Sequence, residues 1–417
     1  MEIGRYSFGI GDRFACEGVA QLKAIEEAQR KGVEITPVWN KSNREHLIIH
    51  SVPSDTRHAA DNAVKQQKWE GLYFVDADHI NLNNVDRFIE SCDFFTLDVA
   101  DFIGKKANQT EIDIFLTLNK KYIDELKIPG ILKSLIITKK ELEKIAEKYL
   151  FAALEAGKIY RYIEKTKGVG NFITEVSMDE VNDPQTPLEL FFILSALASE
   201  NVPMQTIAPK FTGRFNKGID YSGDIDQFGQ EFEDDLMVID YAIKEFKLPE
   251  NLKLSVHSGS DKFSIYPVIG KLIKKHNKGI HVKTAGTTWL EEVIGLAMSG
   301  EEPLNLAKKI YTIALERFDE LCGPYATVIE IDKKKLPTPN EIQNWSGEKF
   351  VNTLRHIPNH PDYNPNFRQL IHVGYKIAVE CGDEFYTSIK KYSEIIGIQV
   401  TENLYNRHIC RLFDIKN

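Results

Sequence analysis

Eight short apolar segments alternate with helix-forming stretches over the first 290 residues of the chain. In chain order the segments read YSFGIGDR, ITPVWNKS, GLYFVDADH, DFFTLDVAD, NFITEVSMDE, MQTIAPKF, LKLSVHSGSDK and IHVKTAGTT. The stretches that follow them predict helices at about 17–31, 56–67, 84–92, 110–165, 187–200, 234–247, 265–276 and 289–299. A strand followed by a helix, repeated eight times, predicts an α/β fold with a closed parallel barrel of the (β/α)8 TIM type.

Two departures from the plain repeat suggest additional parts. The helical stretch at about 110–165 is longer than one barrel helix, so we expect a helical insertion between strands four and five. The alternation stops after residue 300, and helical patterns recur at 303–321, 341–356, 366–380 and 384–394. We therefore expect a barrel in 1–300 and a C-terminal helical extension, packed on the barrel, in 301–417. The glycine- and acid-rich stretch 213–233 is interpreted as a long rim loop after strand six.

Composition narrows the class of protein. The 417 residues are 42% hydrophobic and 27% charged, as in ordinary globular proteins. No apolar run approaches the roughly 18 residues that span a bilayer. The N-terminal residues lack the pattern of a secretory signal, so we expect a cytoplasmic protein that does not associate with membranes.

Charge and cysteine usage exclude further classes. The net charge is −9 and the basic residues form no long block, which argues against nucleic-acid binding but not against a small anionic substrate. Five cysteines without a CxxC pair argue against a disulfide framework and against a cysteine zinc site. A homodimer is only the default expectation for a barrel of this kind.

Metal-capable residues gather where the predicted strands end, which is where barrel enzymes carry their chemistry. His79 follows the VDAD run, His257 ends LKLSVH, and His281 lies within the eighth strand. Imidazoles with a carboxylate form an open site for Zn²⁺, Mn²⁺, Co²⁺ or Ni²⁺. No HxH or HExxH spacing supports this locally, so the alternative is that each histidine is an ordinary polar residue of the rim.

Carboxylates at the strand ends are candidate acids and bases. Asp76 and Asp78 are two residues apart and share one face of a strand. Asp98 closes FFTLD, and Glu175 lies between apolar neighbours in FITEV. A desolvated carboxylate near a metal or a lysine can titrate near neutrality and transfer protons. Alternatively, Asp76 and Asp98 bind only a neighbouring lysine or a loop amide.

Three lysines near the strand ends are candidate substrate contacts. Lys210, Lys262 and Lys283 are expected to contact an anion or a hydroxyl group, with Schiff-base chemistry at Lys210 as the alternative. Threonines around Gly286 can also present backbone N–H groups to a carboxylate or a phosphate before the last barrel helix. The GIG run near the N-terminus lacks the third glycine of a dinucleotide fingerprint and is a weak nucleotide signal.

Six of these segments together resemble the tagaturonate/fructuronate epimerases, which are metal-dependent barrel enzymes of hexuronate catabolism. The matching runs are FGIGDRF, PVWNKSNREH, FVDADHI, FFTLDVADFIG, VHSGSDKF and HVKTAGTTWLE. The resemblance implies interconversion of D-tagaturonate and D-fructuronate, which differ at one carbinol carbon β to the ketone. It covers most of the barrel and less of the C-terminal part.

The inverted carbon is not acidified by the ketone, so simple α-deprotonation cannot invert it. A retro-aldol cut, rotation of the aldehyde fragment and re-addition fits better than a transient oxidation, for which the glycine signal is too weak. In that hypothesis a divalent cation is held by His79, His257 and His281. Asp78 is then the base and Glu175 the opposing acid.

The substrate contacts expected in the same hypothesis are Asp98, Lys210, Lys262 and Lys283. Which of Asp78 and His79 is base and which is ligand stays open, and Asp98 can replace His79 as a ligand. Competing interpretations are an epimerase of neutral ketohexoses, a metal-dependent sugar-acid aldolase and a non-catalytic sugar-acid sensor.

Overall fold

A computed structural model describes residues 1–132, 134–284 and 287–416 of the chain. The strands are β1 (Tyr6–Gly11), β2 (Ile35–Ser42), β3 (Phe74–Ile80), β4 (Phe94–Asp98), β5 (Asp124–Leu126), β6 (Leu135–Ile137), β7 (Ile173–Ser177), β8 (Thr206–Ala208), β9 (Lys253–His257) and β10 (Ile280–Lys283). All except β5 and β6 form a closed barrel, in chain order, with parallel neighbours throughout. The predicted (β/α)8 barrel is therefore confirmed, and all eight predicted strands belong to it.

Helices connect the barrel strands on the outside. They are α1 (Gly18–Arg30), α2 (Asn43–Ile49), α3 (Pro53–Gln67), α4 (Gln109–Asn119), α5 (Lys139–Ile145), α6 (Phe151–Lys167), α7 (Pro187–Ser199), α8 (Ile225–Phe246), α9 (Tyr266–Lys275) and α10 (Thr287–Met298). The helix predicted at 84–92 is wrong, because only a single 3₁₀ turn, Val85–Arg87, lies between β3 and β4. There Asn81 and Asn84 bond to nearby backbone and favour a turn over a helix.

The connection between β4 and β7 is longer than the other connections, as predicted, but it is not wholly helical. After α4 the chain forms the antiparallel hairpin of β5 and β6, and only then enters α5 and α6. The hairpin turn contains Pro129 and Gly130, the latter at φ 97°, which stops a helix there. The predicted rim loop 213–233 is also shorter than expected, since Asp224 caps α8 and the helix begins at Ile225.

The C-terminal residues add a layer of helices, as predicted. They are α11 (Glu301–Glu316), α12 (Phe318–Cys322), α13 (Pro339–Gln343), α14 (Gly347–Leu354), α15 (Pro365–Val373), α16 (Tyr375–Glu380), α17 (Asp383–Lys391), α18 (Ser393–Glu402) and α19 (Cys410–Phe413), with a π-helical turn at Asn403–Ile409. This layer shares a hydrophobic core with α10, in which Trp289 is fully buried and donates to the carbonyl oxygen of Ile371 at 2.7 Å. The last two helices were missed by the sequence pattern.

The barrel interior is apolar at its base and polar towards its mouth. Inward-facing Val38, Phe74, Phe94 and Ile173 pack with Ile3 into a separate buried cluster that closes the base. The next inward positions on β3 and β7 are Asp76 and Glu175, because every second residue of a strand faces the same side. The strands thus carry their charged residues to the C-terminal end. No described helix is long and apolar enough to cross a membrane.

Candidate active site

Two imidazoles and one carboxylate meet at the C-terminal mouth of the barrel. One ligand-capable atom from each of His79, Asp179 and His257 lies within 4.8 Å of the other two. Asp179 Oδ1 is 3.1 Å from His257 Nδ1 and 3.7 Å from His79 Nε2. The longer distance exceeds a hydrogen bond, and His79 Nε2 is buried without a hydrogen-bond partner among the described residues. Two imidazole nitrogens and a carboxylate oxygen form a donor set that fits a divalent transition-metal ion.

A bulge in β3 turns His79 towards this site. Asp78 and His79 are neighbours, so in a regular strand their side chains would face opposite sides of the barrel wall. The pairing of β3 with β4 shifts register between Ala77 and Ile80, which marks a β-bulge. His79 has φ 54°, a left-handed conformation that is uncommon outside glycine and that clusters at functional sites. The bulge places both side chains at the mouth.

A second carboxylate is hydrogen-bonded to each imidazole, at the ring nitrogen that does not face Asp179. Asp78 Oδ1 lies 2.8 Å from His79 Nδ1, and Glu175 Oε1 lies 2.8 Å from His257 Nε2. Each ring therefore directs one nitrogen to Asp179 and the other to an outer carboxylate. This is the arrangement that orients histidine ligands of metal ions and raises their basicity.

Lys283 is the buried cation beneath these groups. Its ammonium lies 2.8 Å from Asp76, 2.9 Å from Asp78 and 2.9 Å from Glu175. These three ion pairs raise the pKa of Lys283 well above its ordinary value against the opposing effect of burial. Burial also raises the pKa of Asp76 to about 7, although Lys283 opposes that shift. For Glu175, in contrast, burial is outweighed by Lys283 and His257, which hold its pKa well below the ordinary value.

The charge balance also fits a divalent cation. Three carboxylates, Asp76, Asp78 and Glu175, contact the ammonium of Lys283, and a fourth, Asp179, lies 3.1 Å from His257 Nδ1. Burial opposes protonation of the imidazoles, but the carboxylates raise the pKa of His257 to about 9 and that of His79 well above its ordinary value. Two imidazolium protons and one divalent ion supply the same positive charge, so an ion can replace the protons without changing the balance.

A cavity of about 670 Å³ opens above these residues. One side is formed by His79, Asp179, His257 and Lys283, together with Asp78. The other walls carry five cationic side chains and two acidic ones, namely Arg13, Arg44, Lys210, Arg214 and Lys217 with Glu45 and Glu180. A protein with a net charge of −9 thus presents a locally cationic pocket, which suits a small anion next to a polar reaction centre.

The structure brings some predicted site residues together and separates others. His79, His257, Asp78, Glu175 and Lys283 form one connected group, as expected. Lys283 also contacts both Asp76 and Asp78, as expected for two side chains on the same face of β3. Whether these residues act in catalysis stays a prediction.

His281 is not part of the imidazole group, which corrects the expected set of three histidines. It precedes Lys283 by two residues on β10 and therefore lies about 6.6 Å deeper along the strand. Its Nδ1 is 2.8 Å from Ser7 Oγ, its ring packs on Phe94, and burial lowers its pKa to about 3. Asp179 takes its place beside the other two imidazoles.

Lys262 also lies elsewhere, which corrects its expected place in the substrate pocket. Its ammonium is fully buried and donates to the carbonyl oxygens of Asn216 at 2.9 Å and Ile219 at 2.7 Å. Lys262 does not line the cavity as the described residues define it. A lysine side chain on a loop can extend into the cavity or away from it, and the sequence does not distinguish the two directions.

The remaining predicted contacts lie near the mouth. Lys210 lines the cavity, with its ammonium 5.8 Å from the centre of the Phe215 ring. Asp98 accepts a hydrogen bond from the backbone N–H of Ala100 at 3.1 Å, and burial raises its pKa. Both stay predicted substrate contacts. Gly286 lies outside the described residues, and Thr287 Oγ1 donates to the carbonyl oxygen of Thr284 at 3.0 Å.

Sequence reasoning missed Asp179 and Lys217. Asp179 is the second-last residue of the segment NFITEVSMDE, four residues after Glu175, so its position past a strand end was an available signal. Lys217 belongs to the rim loop, whose path the sequence pattern does not define.

Residues 1–412 match the family model described as UxaE, tagaturonate epimerase. The chain belongs to the tagaturonate epimerase family. It is thus an enzyme of the isomerase class, and the resemblance seen in its sequence motifs is confirmed.

Relatives and solved structures agree with this assignment. A tagaturonate/fructuronate epimerase of Thermotoga maritima is 30% identical over 420 residues, which cover 97% of this chain and 80% of the relative. A glycerol complex of the fructuronate-tagaturonate epimerase UxaE from Cohnella laeviribosi superposes with a TM-score of 0.82 at 24% identity, covering 99% of this chain and 81% of that one. The native structure of the same enzyme gives a TM-score of 0.79 at 24% identity, with the same coverage. These structures confirm the fold.

Proposed function

We propose that this epimerase interconverts D-tagaturonate and D-fructuronate in the cavity above Lys283. The observation that carries the proposal is the group of His79, Asp179 and His257, backed by two outer carboxylates and facing a cationic wall. Family membership supplies the reaction class, and the pocket chemistry agrees with a polyhydroxy acid. A sugar acid presents several hydroxyl groups to one side and one carboxylate to the other.

The residues that would hold a divalent cation are His79, Asp179 and His257. When bound, such an ion supplies Lewis-acid stabilisation of negative charge on substrate oxygens. Zn²⁺, Mn²⁺, Co²⁺ and Ni²⁺ all suit this mixed nitrogen and oxygen donor set. Asp78 and Glu175 then orient the rings, so their hydrogen bonds to the imidazoles are part of the site.

Inversion at a carbon β to a ketone cannot proceed by simple α-deprotonation, so our proposal breaks and re-forms a carbon–carbon bond. In our proposal the hydroxyl group on that carbon loses its proton, and the bond to the α-carbon breaks with its electron pair moving to the ketone as an enediolate. The released aldehyde turns about its own single bond and presents its other face. Re-addition forms the same bond, and the new alkoxide regains a proton, so atoms and electrons balance.

Asp78 is the proposed base in the first step. It lines the cavity, and Lys283 and His79 outweigh burial to hold its pKa well below the ordinary value, so that it is ionised. Lys283 lies 2.9 Å away and lines the same cavity. It is therefore placed to protonate the alkoxide and to be reprotonated by Asp78.

Glu175 has a different place in the revised scheme. It was expected to be the opposing acid, but its side chain is fully buried beneath His257 and is held ionised by Lys283. An ionised carboxylate has no proton to donate, so Glu175 orients the ring of His257 instead. The carboxylate of the substrate is directed to Lys210 and the cationic wall, and Asp98 stays a candidate hydroxyl contact at the rim.

The test is an NMR time course with purified protein, a divalent metal and D-tagaturonate in D₂O. We expect D-fructuronate to appear without deuterium at the inverted carbon, because the retro-aldol route never breaks that C–H bond. Deuterium at that carbon would refute the route. Accumulation of free aldehyde fragments would indicate an aldolase, and faster turnover of tagatose would indicate a neutral-sugar epimerase. Stabilisation by the sugar acid without any conversion would indicate a sensor.

A further inference from the structure

The first part of the rim loop, residues 213–219, contributes Lys217 to the cavity. Six cationic side chains line the cavity, namely Arg13, Arg44, Lys210, Arg214, Lys217 and Lys283. Arg13, Arg214 and Lys283 are paired with carboxylates, while Arg44 and Lys210 lie over the rings of Tyr325 and Phe215. Within the described ranges, Lys217 is the member of this set whose ammonium has no hydrogen bond, ion pair or aromatic face.

The backbone around Lys217 is held by groups from outside the loop. Lys262 donates to the carbonyl oxygens of Asn216 and Ile219 at 2.9 and 2.7 Å. Ser260 Oγ accepts from the N–H of Gly218 at 2.8 Å, and Arg368 Nε donates to the carbonyl oxygen of Gly218 at 2.6 Å. The N–H of Lys217 donates to the carbonyl oxygen of Val328 at 2.7 Å. Four successive residues thus have their backbone fixed without belonging to a helix or a strand.

The anchoring side chains are themselves rigidly placed. Lys262, Ser260 and Arg368 are all fully buried. Gly218 has φ 80°, which glycine adopts at little cost and which allows the turn between the two lysine-bound carbonyls. A flexible loop would spread the backbone of Lys217 over many positions, whereas this clamp fixes the backbone from which the side chain reaches the cavity.

From this arrangement we propose that Lys217 recognises the carboxylate of the sugar acid and that Lys262 is the positioning residue that holds Lys217 in place. This inference rests on the proposed function for the identity of the anion. A lysine suits the task, because a single ammonium on a flexible stem can follow a carboxylate while the attached aldehyde turns. The planar fork of an arginine would fix the orientation of the carboxylate and oppose that rotation.

The test uses apparent dissociation constants, measured after each addition has reached its epimer equilibrium, so that they do not depend on the rate of turnover. Titration calorimetry of metal-loaded protein would compare D-tagaturonate with tagatose, which lacks the carboxylate. For Lys217→Met we expect tagaturonate to bind about 10- to 100-fold more weakly, the range for loss of one charge-assisted hydrogen bond. The effect on tagatose should be at least several-fold smaller. Lys271→Met, an exposed lysine on α9, is the matched control and should change neither constant.

A double-mutant cycle decides whether Lys262 acts through Lys217. We expect Lys262→Met to weaken tagaturonate selectively, and the Lys217→Met/Lys262→Met protein to bind no worse than Lys217→Met alone. Multiplying effects, or equal losses for both sugars, would overturn the positioning role. If Lys262→Met fails to fold, Ser260→Ala removes a different bond of the same loop and should give the same selective pattern.

The outcomes separate this inference from the proposed function. If the wild-type protein binds tagaturonate more tightly than tagatose but converts neither, the proposed function fails and the carboxylate site stands. If conversion occurs and Lys217→Met binds both sugars as the wild type does, the proposed function stands and the assignment of Lys217 fails.

Discussion

Asp261 joins the barrel to the C-terminal helices through three hydrogen bonds in a fully buried environment. It accepts from Arg368 at 2.7 Å, from His356 Nδ1 at 3.1 Å and from His408 Nε2 at 3.0 Å. Burial alone would raise the pKa of Asp261, but Arg368 and the two imidazoles hold it well below the ordinary value. Asp261→Asn keeps the size of the side chain but leaves the guanidinium of Arg368 without its counter-charge.

The expected loss follows from this burial. Removing one partner of a buried ion pair costs about 3–5 kcal/mol, because the other charge stays desolvated. Unfolding entropy is about 2.1 cal/mol/K per residue, so 417 residues give about 0.9 kcal/mol/K. The melting temperature of Asp261→Asn should therefore fall by about 3–6 °C relative to the wild type.

Differential scanning calorimetry at pH 7 measures this shift, and Asp319→Asn supplies the matched control. Asp319 makes the same kind of ion pair, with Lys333 at 2.8 Å, but its side chain is 89% exposed. Exposed pairs contribute about 0–1 kcal/mol, so that variant should melt within about 1 °C of the wild type. Equal shifts for the two variants would show that the Asp261 network does not stabilise the contact between barrel and C-terminal layer.

Two further predictions concern the metal site and pH. Asp78→Asn should lower the affinity for a divalent cation about 10- to 100-fold, because it removes a carboxylate that orients a metal-binding imidazole. Competition with a chromogenic chelator would measure the affinity, and an unchanged value would show that Asp78 is not part of the metal site. Burial lowers the pKa of His46 to about 3, so the unfolded chain takes up the proton first and stability falls as pH drops below about 6.5. Between pH 7 and pH 5 the unfolding free energy of the wild type should therefore fall by about 2 kcal/mol more than that of His46→Gln in urea titrations, and parallel pH profiles would contradict this.

The sequence was sufficient for the barrel because its strand signals are local. Each strand is a short apolar run with its own flanking turn, and all eight joined the barrel. The structure also has charged residues at the strand ends, where the sequence pattern put them. Their position follows from the alternation of side chains along a strand and from the shared direction of parallel strands. Asp78, Glu175 and Lys283 met for that reason.

The site was less predictable where it depends on irregular backbone. His79 reaches the mouth through a bulge and a left-handed residue, and neither has a signal in one sequence. His281 faces the interior as its strand position requires, but it lies one layer too deep to meet the other imidazoles. Lys217 and Lys262 lie on or against a loop whose course is set by long-range contacts. The hairpin within the long β4 to β7 connection is likewise stabilised by tertiary packing rather than by its own pattern.

The position of a bound divalent ion tests the central claim most directly. Anomalous diffraction from crystals of the protein loaded with Mn²⁺ or Zn²⁺ would locate it. We predict one strong peak at about 2.0–2.2 Å from a nitrogen of His79, a nitrogen of His257 and an oxygen of Asp179, and no such peak in Asp179→Asn crystals prepared in the same way. A fully loaded, active protein whose peak lies away from these three side chains would contradict the account.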